Sequence, residues 1–149
     1  MWDQLIHNQM LLTALAAWFL SGLLKVPIEY LSTKKLNWGL FFAPGGMPSS
    51  HSALVTATMI SVGLYDGFNT AAFVVAFTVM MVVVYDAAGV RRQAGFHAEK
   101  INTIINALFQ GHQLSEEQLN EVLGHTPREV IAGVATGLVI AVGIWLIWH

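Results

Sequence analysis

The chain has no cysteine, so neither disulfides nor thiolate chemistry is open to it. Charge is scarce as well: Asp, Glu, Lys and Arg make up 11% of the 149 residues, well below the roughly 25% of an ordinary soluble domain. No repeat or low-complexity segment stands out, and one domain, residues 1–149, is the natural count. Residues 1–24 lack a basic n-region and a small-residue cleavage site, which points to a retained helix and away from a removed signal peptide. No Lys or Arg precedes Lys25 or lies in the turn Tyr65–Asn69.

Apolar residues fill the space that charge leaves. They are 55% of the chain, with a mean hydropathy of +0.58, and they gather in four stretches: Met10–Leu24, Ser52–Leu64, Thr70–Val84 and Val130–Trp148. A spanning helix needs roughly 20 apolar residues. Val130–Trp148 meets that, and Thr70–Ala88 does so with Asp86 tolerated near its end. Ser52–Leu64 is short and spans only with Pro48–Ser50 as its first turn, or where the bilayer is locally thin. The expected fold is all-α, a polytopic membrane helical bundle with about four transmembrane helices and two amphipathic or interfacial helices. A soluble bundle with a very apolar core is the competing reading.

Four crossings bring the end of the first stretch, the start of the second, the end of the third and the start of the fourth to one face. That face collects Lys25, Gly45–Ser52, Asp86–Arg92 and Gly124–Glu129, and with them all seven Lys and Arg. By the positive-inside rule it is cytoplasmic and both termini lie outside. Trp2, Trp145 and Trp148 fit an aromatic belt at one boundary and Trp38 at the other, while Trp18 falls mid-segment and reads as packing.

Two connections are long enough to carry structure. In Lys25–Ser50, Pro27 reads as a helix exit, followed by a short re-entrant or interfacial piece and a tight turn at Gly45-Gly46. In Gly89–Arg128, Ala98, Ile101, Ile104, Ile105 and Leu108 recur at helical spacing, and Ser115 with Gln118 marks a second helix start. Both are read as amphipathic helices at the cytoplasmic surface.

Three clusters carry chemistry. In Gly45-Gly46-Met47-Pro48-Ser49-Ser50-His51-Ser52 the glycines let backbone approach a ligand, Pro48 presets an early helical turn, and Ser49 or Ser50 caps. Free amides at such a helix start attract anions, and His51 in the first turn can donate a proton to a bound phosphate. In Gly124-His125-Thr126-Pro127-Arg128-Glu129, Thr126 or His125 caps with Pro127 at the first helical position. His125 and Glu129 then share a face, so the carboxylate can orient the imidazole; the plainer alternative is a capping box between Thr126 and Glu129. In Tyr85–Arg92, Asp86 near membrane depth wants a partner, and Arg91 or Arg92 offers a planar fork suited to phosphate.

The Pro48-Ser49-Ser50-His51 block, with His125 followed by Glu129, resembles the divergent membrane branch of the type 2 phosphatidic acid phosphatases, relatives of the vanadium-dependent haloperoxidases. That resemblance implies His51 as the general acid, His125 as the nucleophile that forms a phosphohistidine, Glu129 in place of the orienting Asp, Ser49 as a phosphate-binding residue and Lys25 as the lysine of the first motif. The sequence departs from the family pattern where Ser32 and Thr33 replace its Arg-Pro, Ser50 its glycine and Leu119 the arginine six before the nucleophile. Arg91 and Arg92 are the guanidiniums left to take that role.

The expected function is therefore a metal-independent lipid phosphomonoesterase acting on an isoprenoid or glycerolipid phosphate in a bacterial plasma membrane. Lys25, Ser49, Ser50, Asp86, Arg91 and Arg92 would form the binding set. No cofactor, metal or nucleic acid is expected; membrane lipids are partners, and the chain could self-associate. The alternative is a non-catalytic binder or transporter of anionic lipids, which would tolerate replacement of His125.

Overall fold

The structure, a computed structural model, describes residues 2–43, 45–108 and 126–148, with backbone alone at 90–92, 94 and 106–108. The described residues are helical, with loops and no strand among them. In chain order they form α1 (Trp2–Ile6), α2 (Gln9–Thr33), a 3₁₀ turn (Trp38–Phe41), α3 (Ser50–Tyr65), α4 (Ala71–Ala88), α5 (Val90–Leu108) and α6 (Pro127–Trp148). Three of these, α2, α4 and α6, are long and apolar enough to cross a membrane. At 1.5 Å per residue the 16 residues of α3 rise only about 24 Å. That is less than the roughly 30 Å hydrocarbon core, yet α3 is the middle of the bundle, with α2, α4 and α6 all packed on it.

Side-chain oxygens start these helices. The carboxamide of Asn8 accepts from the Leu11 amide at 3.0 Å to open α2, and Thr70 accepts from Phe73 at 3.2 Å to open α4. Pro27 does not end α2, as its position in the sequence suggests; the helix continues to Thr33 and stops at Lys34, which takes the left-handed conformation and donates to the Tyr30 carbonyl at 2.9 Å. The proline deletes one backbone donor, and the buried neighbours Ser21, Gly22, Lys25 and Val26 hold that turn in place by packing, as tertiary contacts do for prolines in membrane helices. Pro48 differs too: it precedes the cap Ser49, so α3 begins at Ser50 and gains no turn from Pro48.

Small residues set the packing. Ala17, Ala57 and Ala141 meet at the fully buried centre, with Ile60 and Ile140 against them. On α6, Gly133 and Gly137 face the cap Ser49 and Ser52, Ala53 and Thr56 of α3. A Cβ at Gly133 would collide with the Ser49 carbonyl, and one at Gly137 with that of Ala53. Positions rise together on both helices, so α3 and α6 run parallel, and their backbones touch as they do in small-xxx-small membrane seams. Five hydroxyls of the bundle, those of Thr13, Ser21, Thr58, Ser61 and Thr136, donate to carbonyls three or four residues earlier, which suits a surrounding without water.

α5 packs on α4 and displays Ile101, Ile104 and Ile105 to its surroundings, the amphipathic pattern its sequence spacing leads one to expect. The second surface helix expected around Ser115 lies outside the described residues. The start of α2, the end of α3 and the start of α4 share one end of the bundle, and the last turns of α6 belong to that end too. Lys25 and the starts of α3 and α6 gather toward the other.

Candidate functional site

The connection after α2 does not leave the bundle. It turns back along α2 so that Phe41 lies over Gly22, where a Cβ would come within 3.0 Å of the ring. Trp18 and Phe19 meet the same ring edge-on at 5.8 and 5.4 Å, confirming Trp18 as a packing residue. One turn further along α2 is Lys25, only 4% exposed. Its Nζ donates to the Ala43 carbonyl at 3.1 Å, and its stem lies beside Gly46. Gly45 and Gly46 have φ of 98° and 79°, values that favour glycine. They turn the chain over the lysine and into α3.

The start of α3 is tied to the start of α6. The Ser49 amide donates to the Glu129 carbonyl at 3.0 Å, and the Ser49 hydroxyl accepts from the Ser52 amide at 3.4 Å and the Ser52 hydroxyl at 3.1 Å. The Ala53 amide is taken by the Ser49 carbonyl. Ser50 differs from these: its side chain is 4% exposed, and its hydroxyl has no hydrogen-bond partner among the described residues. A buried hydroxyl without a partner is costly, so a ligand able to accept from it would relieve that cost. Thr56 Oγ1, two turns deeper on the α6 side, is unpartnered in the same way.

At the start of α6 the two readings of Glu129 separate. Thr126 caps α6 with Pro127 at the first helical position; the Thr126 amide donates to Glu129 Oε2 at 3.0 Å, and the Glu129 amide to Thr126 Oγ1 at 3.4 Å. This is the reciprocal capping box. The negative charge of Glu129 is also felt at the buried Lys25 ammonium. His125, one residue before the cap, lies outside the described residues.

The remaining expected residues stand at helix ends. His51 is in the first turn of α3 on an exposed side, and Asp86 is half-buried in the last turn of α4. α4 stops at Gly89, whose amide donates to the Tyr85 carbonyl at 2.9 Å, and Arg91 and Arg92 fall in the first turn of α5 with side chains outside the described set. The structure thus ties Ser49 to Glu129 by a hydrogen bond, buries Ser50 next to that tie, and sets Lys25 beside the Gly46 turn that leads into it. The α3–α6 seam escaped the sequence reading, although Gly133-x-x-x-Gly137-x-x-x-Ala141 is a legible signal for it.

A sequence profile described as the Divergent PAP2 family matches residues 6–140. The chain is 37% identical over 148 residues to the uncharacterized membrane protein YuiD of Bacillus subtilis (strain 168), covering 92% of this chain and 94% of that protein. No solved structure matches the chain.

Proposed function

The chain belongs to the divergent PAP2 family, and from that premise we propose that it is a metal-independent phosphatase of lipid phosphates, isoprenoid or glycerolipid. The observation that supports the reading is a buried Lys25 ammonium beside the Gly46 turn that leads into α3, together with an unpartnered, buried Ser50 hydroxyl at an α3 start hydrogen-bonded to the start of α6. A cation and donors fixed before the ligand arrives stabilise phosphoryl charge without reorganising. Lys25 and the α3 start bind the phosphate oxygens, with an arginine of Arg91 and Arg92 adding charge. His125 attacks phosphorus while the bond to the ester oxygen breaks, and His51 gives that oxygen its proton. Water then cleaves the phosphohistidine, releasing phosphate. In this reading α3 is a fourth, recessed membrane helix, the site opens to the cytoplasm and both termini lie outside.

The competing reading, a non-catalytic binder of anionic lipids, draws on the capping box, which gives Glu129 a structural role at the start of α6. Phosphate release from a panel of lipid phosphates by the purified protein with EDTA present separates the two. The expected result is release that falls at least about 100-fold in Lys25→Met, His51→Ala and His125→Ala, each variant keeping its thermal transition. Lipid phosphate bound equally by wild type and His125→Ala, with none released by either, would establish the binder instead.

A further inference from the structure

At the end of the bundle away from Lys25, α2 and α4 lie on either side of α3, and a groove of about 750 Å³ opens between them. Leu11, Leu15, Leu54, Val55, Val75 and Val79 line it, and its surface is almost wholly apolar. Along α4 it runs from Ala71 to Val79, about 12 Å at 1.5 Å per residue. That is a little under half of the roughly 30 Å hydrocarbon core. The groove therefore belongs to the leaflet opposite the cationic site.

Its mouth is polar and uncharged. Asn8 and Met10 line both the groove and an adjoining cavity of about 290 Å³, whose other walls are Gln4, His7, Gln9 and Tyr65. Amides, an imidazole and a phenol supply donors and acceptors without a fixed charge. The sequence places no Lys or Arg at this end, and its acidic residues are Asp3 and Asp66. A phosphate head would meet no Lys or Arg there, whereas a hydroxyl head would meet neutral hydrogen-bonding side chains.

We propose that this groove seats the hydrocarbon chain of an uncharged, hydroxyl-bearing lipid, a long-chain alcohol or a monoacylglycerol, with its hydroxyl among Gln4, Asn8, Gln9 and Tyr65. The reasoning is independent of the phosphatase reading, although a lipid alcohol is also what such a reaction would release. The apolar length holds the chain and the uncharged mouth selects the head. The two ends of the bundle thus sort lipids by charge, anionic heads at Lys25 and neutral ones at Asn8.

The test is photolabelling of the full chain in phosphatidylcholine nanodiscs with a diazirine-bearing long-chain alcohol, against the matching alkyl phosphate, with adducts mapped by peptide mass spectrometry. The alcohol is expected to label the segments around Leu11, Leu15 and Val75 about tenfold more than the phosphate does, as loss of hydrogen-bond partners would produce. Ala72 lines the groove from an exposed position on α4. Ala72→Phe and, separately, Val75→Phe are expected to abolish most of that labelling while leaving the thermal transition in place. Equal labelling by the two probes, labelling unchanged in whichever filled variant folds, or adducts as abundant at Ile131 and Val139 on the outer side of α6 would overturn the proposal and mark the groove as a place for bulk lipid only.

Discussion

The two flanks of α3 are built on opposite plans. Toward α6 the residues at the closest approach are small, and the backbones come so close that Gly133 and Gly137 have no room for a Cβ. On the side away from α6, Leu54 and Val55 of α3 with Val75 and Val79 of α4 line the groove that opens between α2 and α4. In a membrane, burial of apolar area does not by itself draw helices together; closeness of fit distinguishes the two flanks. The close flank fixes the starts of α3 and α6 against each other through Ser49 and Glu129, which a chemical site needs. The open flank keeps space for a lipid chain.

The sharpest way to break this contrast is to give the close flank a side chain. Gly137→Leu is expected to cost at least roughly 3 kcal/mol, because overpacking here meets backbone that cannot move aside, and the variant should fail to show a cooperative thermal transition followed by tryptophan fluorescence. Gly143→Leu is the control: a Cβ there meets nothing within 4 Å, and its transition should match the wild type. Equal behaviour of the two variants would mean that the seam is not where the bundle is held.

The two helix caps sharpen the comparison at intermediate size. Ser49 is fully buried and accepts from both the amide and the hydroxyl of Ser52, whereas Thr126 is exposed and makes the same kind of cap on α6. Ser49→Ala is therefore expected to cost about 2–3 kcal/mol, the penalty for stranding buried donors, and Thr126→Ala about 1 kcal/mol. The order of the two melting shifts is the measurement. The smallest effect belongs to the outer side of α4, where Val74 is 60% exposed; Val74→Ala should alter stability in detergent by less than about 0.5 kcal/mol.

Much of this was legible from local signals. The capping box at Thr126 and Glu129, the cap at Ser49 and the amphipathic spacing of α5 all depend on residues within four positions of one another. Pro27 and Pro48 misled for a shared reason. A proline states what its own φ and missing donor permit, and both outcomes are permitted: α2 carries Pro27 inside a packed helix, and Pro48 stands outside α3. The length of α3 also takes on meaning only in the fold. Lys25 lies eight residues before the end of α2, about 12 Å by helical rise, so the short helix begins near the level of the lysine and the patch is recessed below the end of α2.

The sequence by itself determined that the chain forms apolar helices joined at capped starts, that no Lys or Arg precedes Lys25, and that Ser49, Ser50 and His51 stand at a helix beginning. Only the tertiary structure decided that Lys25 is enclosed by a returning loop and held by the Ala43 carbonyl, that the Ser50 hydroxyl is buried without a partner, and that α3 is sealed on one flank and open on the other. The division is physical. Helix formation and capping are settled by hydrogen bonds between near neighbours in the chain, whereas burial and close approach depend on which backbone another helix brings to the same place.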